Sequence, residues 1–237
     1  MDNERKIKIV AVVSSPSSNG STAFLVREAL QAARQAGAEV EEIDLSRREL
    51  SYCRGCFRCM REGRCPIPDD LEVIRDKLYS CDGLILGSPT YGMAPNAMMK
   101  NLLDRLGMYT VYTSALSGKY MAGISTAGAV GSKKVAKGLA SAGHGFFGRS
   151  YVTGCLGGKV GWGHARDDPV LVRKARRLGA RMAEDIRKER RYPLQGLGGR
   201  VVQALFLRRM IARNILDNRG GSMAAVYADL RARGLLG

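Results

Sequence analysis

Histidine, tryptophan and long apolar runs are the features that this chain of 237 residues has least of. The two histidines, His144 and His164, do not combine with a candidate nucleophile, so a Cys–His hydrolase has little support. No apolar run approaches the roughly 18–20 residues needed to span a bilayer. The amino-terminal run IVAVV is also shorter than the apolar region of about 7–15 residues in a secretory signal peptide. We therefore expect a cytoplasmic protein without an integral membrane segment, whose thiols stay reduced rather than forming disulfides.

Acidic residues are scarce: 22 Asp and Glu stand against 38 Lys and Arg, which gives a formal charge of +16. The excess is uneven, since the chain from Arg166 onward has 17 basic and 7 acidic residues. A basic surface can attract nucleic acid, anionic lipid or an acidic protein, and it can also be an ordinary solvated surface. Arg208, Arg209 and Arg213 beside apolar positions would suit an interfacial helix. Because aromatic interleaving is sparse and no nucleic-acid motif is recognisable, we expect no nucleic-acid partner.

Apolar strands and amphipathic helices alternate along residues 1–191. The segments predicted as strands are KIKIVAVVSS, AEVEEIDL, DGLILGSP, YMAGISTAG and SYVTGCLGG. Segments with helical spacing of apolar residues lie between them, which favours parallel pairing and a doubly wound five-stranded α/β sheet. Residues 192–237 are predicted as a basic helical C-terminal extension. It comprises the linker YPLQGLGG, the helix RVVQALFLRRMIARNIL and the shorter helix MAAVYADLRARGLL.

Doubly wound sheets bind ligands beyond the carboxyl ends of their strands, so the loops there are the candidate site. The first, SSPSSNGST, combines hydroxyls, a glycine and a helix start, which suits a monophosphate. It is neither a P-loop nor G-x-G-x-x-G, and an ordinary polar loop is the alternative. The second, GSPTYGMAPN, carries Tyr91, which either stacks on a planar ligand or packs on a neighbour. The third, STAGAVGS, permits close approach of a ring system or simple close packing.

Together, SSPSSNGST, GSPTYGMAPNAMMKNLLDR and a cysteine-rich segment between them resemble the NADPH-dependent FMN reductase superfamily, in particular its iron–sulfur flavoproteins. The resemblance covers roughly Lys6 to Leu156 and implies a flavodoxin-like fold with bound FMN. It assigns the FMN phosphate to Ser15, Ser17, Asn19, Ser21 and Thr22. It places Pro89, Thr90, Tyr91 and Gly92 against the flavin ring, with Thr126, Gly128 and Gly131 on the other side. Many relatives have a basic residue where this chain has Ser17, so here phosphate binding would depend on N–H and hydroxyl donors.

The cysteine loop at residues 51–66 raises the question of a metal. Its thiols are Cys53, Cys56, Cys59 and Cys65. Zinc sites usually use two C-x2-C pairs with a long spacer, whereas three thiols at successive intervals of three with a fourth close by suit a cubane cluster. The resemblance implies a [4Fe-4S] cluster here. Zinc remains open, and so does a loop without metal, since many cluster-free relatives keep part of the pattern. Cys81 and Cys155 are predicted to be buried.

These features predict an FMN-dependent oxidoreductase that exchanges electrons between a one-electron donor, such as a ferredoxin-like carrier, and the flavin through the cluster. The alternative is a cluster-free NAD(P)H-dependent FMN or quinone reductase, and a basic binding module is a third interpretation. The flavin chemistry needs no acid–base residue, so we predict no catalytic side chain. The resemblance also implies a homo-oligomer, a dimer or tetramer. Its contact could be built by the C-terminal apolar residues Phe206, Leu207, Met210, Ile211 and Ile215.

Overall fold

Five parallel strands form the centre of the molecule in the computed structural model, which describes residues 6–193, 195 and 207–236. The strands are β1 Lys8–Val13, β2 Glu39–Asp44, β3 Gly83–Gly87, β6 Tyr120–Ala127 and β7 Tyr151–Lys159. Their spatial order is β2-β1-β3-β6-β7, which makes the sheet doubly wound, as the alternation of strands and helices predicts. A hairpin of two residues per strand, β4 Thr90–Tyr91 and β5 Ala94–Pro95, follows β3 and is not predicted from the sequence pattern. The predicted flavodoxin-like α/β fold is therefore confirmed.

Helices cover both faces of this sheet. They are α1 Ser21–Gln35, α3 Leu71–Ser80, α4 Ala97–Thr113, α5 Ser132–Ala140 and α6 Pro169–Arg187, whereas the short helix α2 Arg58–Glu62 lies outside these two layers. Local signals set several starts: the Asp168 carboxylate accepts from the N–H groups of Val170 and Leu171, with Pro169 at the first position of α6. At the start of α4, Asn96 accepts from the N–H of Met99. Capping of this kind satisfies N–H groups that have no partner within the helix.

The side chains of each strand alternate between two apolar layers, because successive side chains point to opposite faces of a sheet. Ile9 and Ala11 face the layer of α1 and α6, whereas Val10 and Val12 face the layer of α3, α4 and α5. Contact between α1 and α6 is close at Gly179, where an added Cβ would lie 1.8 Å from the carbonyl oxygen of Ala29. The sheet is thus buried on both faces, and its carboxyl edge is left for ligands.

The C-terminal segment forms two further helices, α7 Arg208–Asp217 and α8 Ala224–Ala232. They pack on α2 and on the loop before β7 in a separate apolar cluster. This cluster comprises Met60, Phe147, Ile211, Ile215, Val226, Leu230 and Leu236. Residues 196–206, with most of the predicted linker and Phe206, lie outside the described residues. The domain boundary at residue 191 stays a prediction.

The predicted use of apolar C-terminal residues in a subunit contact needs correction. Ile211 and Ile215 are buried inside this chain, so they are not available to a second copy. Leu207 and Met210 are exposed. Within the described ranges, no helix is both long and apolar enough to cross a bilayer.

Candidate functional site

Hydrogen bonds join the loops after β1, β3 and β6 at the carboxyl edge of the sheet. The Ser14 hydroxyl donates to the carbonyl of Gly87 at 3.3 Å, and the Asn96 side-chain amide donates to the carbonyl of Ser14. The hydroxyls of Thr22 and Thr126 share a hydrogen bond of 2.7 Å between buried side chains. The candidate site is therefore a single region, as the order of the strands predicts.

The loop after β1 curls into a small cradle in front of α1. Within it, the Ser15 hydroxyl and the Gly20 N–H both bond to the carbonyl of Ser17, at 2.8 and 2.9 Å. A Cβ on Gly20 would lie 2.6 Å from the Ser15 hydroxyl oxygen, so a larger residue here would displace that hydroxyl. No side chain caps α1, which leaves the N–H groups of its first turn directed at the loop. The cradle suits a phosphate group, because N–H donors at a helix N-terminus favour an anion.

The predicted phosphate-binding side chains differ in what they can do. Ser17 and Asn19 are exposed and can reach a ligand directly. The half-buried Ser21 hydroxyl accepts from the N–H of Ala165 at 3.0 Å and keeps its own proton for a ligand. Ser15 and Thr22 are buried, so their side chains stabilise the loop and are not open to a ligand at its mouth. Their assignment to phosphate binding stays a prediction.

His164 joins a fourth loop, the one after β7, to this cradle. Its Nε2 lies 2.7 Å from the carbonyl oxygen of Asn19, while its Nδ1 accepts from the N–H of Arg166 at 3.0 Å. Since Nδ1 accepts, Nε2 carries the proton and donates to Asn19. Sequence reasoning gives His164 no role. Its position just after the fifth strand is the one signal that could have suggested a place at the site.

The loop after β3 presents the residues predicted to face the flavin ring. Its turn has positive φ at Gly92 and at Met93, 54° and 66°. It is fixed to β6 by a 2.8 Å bond between the hydroxyls of Thr90 and Ser125. Tyr91 is 58% exposed and Pro89 is half-buried, so both are open to a planar ligand. This exposure contradicts the alternative in which Tyr91 packs on a neighbouring residue.

The loop after β6 closes the site against this hairpin. Gly131 has φ of 93°, and an added Cβ there would lie 2.8 Å from the sulfur of Met93. Gly128 is exposed and accepts a backbone hydrogen bond of 3.1 Å from Gly161. Because Gly128 and Gly131 have no side chain, the loop after β6 can lie close to the hairpin. Backbone atoms, and not side chains, therefore line the mouth of the site there. These residues fit a flavin mononucleotide: a donor cradle for the phosphate and an aromatic hairpin beside a glycine-lined loop for the ring.

The cysteine segment leaves the carboxyl end of β2 and lies against α4. Its anchor is a buried ion pair between Arg105 and Asp69, whose side chains are 1% and 4% exposed. The Arg105 guanidinium also donates to the sulfur of Cys65 at 3.3 Å. Burial would raise the pKa of the Asp69 carboxyl, but the hydrogen bonds from Arg105, Leu71 and Ser51 outweigh it and lower that pKa. A fixed cation therefore stands beside one of the four thiols.

Around Cys59 the other thiols are close enough to interact electrostatically. Burial raises the pKa of the Cys59 thiol, and proximity to Cys65, Cys56 and Cys53 raises it further. Positive φ at Gly55 and Phe57 curls the segment before α2. Among the described residues, however, no three Cys, His, Asp or Glu side chains are placed so as to hold a metal ion. The set of donors fits an iron–sulfur cluster in chemistry, and its predicted ligation stays a prediction.

The two remaining cysteines differ from each other. Cys81 is buried, which raises the pKa of its thiol to about 11, as expected of a small apolar core residue. Cys155 is exposed, so the prediction that it is buried is wrong. The reason is its place on β7, the last strand of the sheet, which has a neighbour on one side only.

Comparison with known proteins agrees with this geometry. Residues 7–156 match the family model of the NADPH-dependent FMN reductases. An iron–sulfur flavoprotein of Methanocaldococcus jannaschii is 46% identical over 99 residues, which are 42% of this chain and 51% of that relative. An iron–sulfur flavoprotein of Archaeoglobus fulgidus is 27% identical over 97% of this chain and 100% of its own length.

Solved structures resemble the fold. A flavone reductase superposes with a TM-score of 0.62 at 20% identity, over 77% of this chain and 64% of its own. An NAD(P)H:quinone oxidoreductase from Methanothermobacter marburgensis superposes with a TM-score of 0.55 at 17% identity, over 74% of this chain and 98% of its own. The chain therefore belongs to the NADPH-dependent FMN reductase family, is similar to its iron–sulfur flavoproteins, and at the level of that family is a flavin-dependent oxidoreductase.

Proposed function

We propose that this protein binds FMN at the carboxyl edge of the sheet and a [4Fe-4S] cluster in the cysteine loop, and exchanges electrons between a ferredoxin-like one-electron carrier and the flavin. The observation that carries the proposal is the anchored cysteine loop. The four cysteines share one segment fixed by the buried Arg105–Asp69 pair, and the guanidinium of that pair donates to the sulfur of Cys65. A buried cation next to a thiol suits a ligand that is a thiolate in the loaded protein.

Each group would be held by residues already described. The first turn of α1 with Ser17, Asn19 and Ser21 would bind the phosphate of FMN. Tyr91 and the backbone around Gly128 would face its ring. The cluster would be ligated by Cys53, Cys56, Cys59 and Cys65. When bound, the flavin takes up one or two electrons and the cluster takes up one, so the pair converts between the two kinds of carrier.

The second candidate is a cluster-free reductase of FMN or a quinone that uses NAD(P)H. One observation favours it: Cys53 and Cys56 are exposed, and within the described residues the thiols do not converge on a common point. In that case the cysteine loop would have a structural role only, and NAD(P)H would be the electron donor. NAD(P)H would then bleach the flavin quickly, whereas the first candidate predicts slow or absent bleaching by NAD(P)H and fast reduction by the one-electron carrier.

The experiment that separates them is a quantitative cofactor analysis of anaerobically purified protein. Iron, acid-labile sulfide, zinc and flavin are measured on one sample together with the visible spectrum. The first candidate predicts about four irons per chain and a broad shoulder beneath the flavin bands. Cys59→Ser would then lose iron, and Cys155→Ser, an exposed thiol away from the loop, would keep it.

Each result has a definite meaning. Flavin without iron in the wild type would refute the cluster and leave the NAD(P)H reductase. Iron retained in Cys59→Ser would place the metal elsewhere in the chain. Zinc in place of iron would exclude electron transfer through the loop. We further propose a cytoplasmic homo-oligomer; a monodisperse monomer by light scattering would refute the oligomer.

A further inference from the structure

One long stretch of the chain contains no acidic residue. No Asp or Glu occurs between Asp104 and Asp167, a stretch that contains β6, α5 and β7 and the loops after both strands. Every formally charged side chain of these elements is therefore a cation. This stretch carries only cations, and it includes the loop around Gly128, which closes the candidate flavin site.

Three of these cations lack a structural reason. Lys133, Lys134 and Lys159 are exposed, and none of them forms an ion pair within the part of the chain that the structure describes. Lys133 and Lys134 also occupy the first turn of α5, which has no acidic residue. Positive charge there opposes the helix dipole and weakens the helix. Stability of the fold does not account for these lysines, which favours a role in contact with another molecule.

Lys159 lies on the same face as the two lysines of α5. A Cβ on Gly157 would lie 2.4 Å from the backbone nitrogen of Lys133, so the side of β7 that Gly157 presents is the side covered by α5. Residues two apart on a strand share a face, and Lys159 therefore projects toward the start of α5. The three lysines, here called the lysine patch, therefore lie at the same end of α5 and β7.

Exposed apolar side chains lie beside this patch. Trp162, the single tryptophan of the chain, is fully exposed, and Val130 is 70% exposed. Their loops are joined by the backbone bond of 3.1 Å between Gly161 and Gly128. An apolar centre with an aromatic residue, bordered by charges of one sign, is the usual anatomy of a protein–protein contact.

We propose that Val130, Lys133, Lys134, Lys159 and Trp162, here called the β7 rim, form the docking surface for an acidic one-electron carrier protein. This inference rests on the flavin site and the one-electron carrier of the proposed function, and not on its cluster. The charge of the β7 rim selects an acidic partner and speeds its encounter. Its position next to Gly128 brings that partner to the mouth of the flavin site. Asp167 and Asp168 at the far end of the loop would limit the patch on that side.

The test uses the FMN-loaded full-length chain and an acidic [4Fe-4S] ferredoxin as probe. Association and dissociation rates are measured by biolayer interferometry at several salt concentrations. The test variant is Lys133→Glu with Lys134→Glu. The matched control is Lys174→Glu with Arg177→Glu, which makes the same change in net charge on exposed residues of α6, on the other face of the sheet.

We expect the test variant to lower the association rate about tenfold at low salt, with a difference that shrinks as salt rises, and the control to change it much less. Equal losses in both variants would show a nonspecific effect of net charge and overturn the proposal. A change in KM for NADPH in the test variant, with carrier binding unchanged, would overturn it in favour of an anion site. Tighter binding of single-stranded DNA or phosphatidylserine vesicles through the same lysines would also overturn it.

Trp162→Ala supplies a second variant, and its exposed side chain makes a folding defect unexpected. We expect it to weaken ferredoxin binding about tenfold, mainly through faster dissociation. Cofactor analysis of the same samples separates the two proposals. Ferredoxin binding that depends on the β7 rim in a protein without iron would retain the docking surface and refute the cluster. If the protein contains the cluster and none of these substitutions changes ferredoxin binding, only the docking surface is refuted.

Discussion

Replacement of Arg105 by methionine tests the anchor of the cysteine loop. Arg105 donates to both carboxylate oxygens of Asp69, at 2.7 and 3.0 Å, and both side chains are buried. Removal of one partner from a buried ion pair typically costs about 3–5 kcal/mol of unfolding free energy, because the other charge stays buried. Asp69 keeps the N–H groups of Leu71 and Ser51, at 3.1 and 3.0 Å. We therefore expect a loss of about 3 kcal/mol, at the lower end of that range.

The assay is thermal and urea unfolding followed by far-UV circular dichroism at a fixed excess of FMN. Tryptophan emission would be a poor probe, since Trp162 is fully exposed in the folded protein. For a domain of this size the expected loss corresponds to a fall in Tm of about 6–12 °C. Arg105→Met with Asp69→Asn should recover part of the loss, because no charge is then left buried without its partner. A change below about 1 kcal/mol in Arg105→Met would refute the reasoning, since it would mean that the pair is solvated.

Three further predictions concern single positions. Gly20→Ala should weaken FMN binding at least tenfold by flavin-fluorescence titration, because the new methyl meets the Ser15 hydroxyl at 2.6 Å; unchanged affinity would exclude the cradle as the phosphate site. Gly179→Ala should strongly lower the stability of the protein in urea unfolding. Gly138→Ala, whose Cβ meets nothing within 4 Å, should instead raise the unfolding free energy by about 0.5–1 kcal/mol. The opposite order of stabilities would contradict the packing. Burial lowers the pKa of His144 to about 4, so the folded protein prefers the neutral imidazole. The stability of the fold should therefore decline as pH falls from about 6.5 toward 4. A His144→Gln variant with the same decline would exclude His144 as its source.

The strands and the site loops were predictable because their signals are local. Apolar runs such as DGLILGSP identify the strands, and parallel strands bring their carboxyl ends to one edge whatever the details of packing. The order of the sheet then places the three loops together without knowledge of any side-chain contact. The family resemblance added the expected ligand.

The anchor of the cysteine loop was not predictable, because it depends on tertiary pairing. Arg105 lies in the middle of α4 and meets Asp69 across 36 positions of sequence, and nothing near either residue indicates the pair. The same holds for His164, whose partner Asn19 is 145 positions away. Exposure of Cys155 likewise depends on which strand ends the sheet, and the spacing of apolar residues does not reveal that.

The helices that cover α2 are made late in synthesis, because they lie at the C-terminal end of the chain. α2 ends at Glu62, but Met60 is buried by α7 and α8, whose residues begin at Arg208. At about 5–20 residues per second, a ribosome needs on the order of ten seconds or more to make the intervening chain. During that interval the cysteine segment lacks its cover. Cofactor delivery to a growing chain would meet open thiols, whereas delivery to the finished protein would meet a segment already closed on one side.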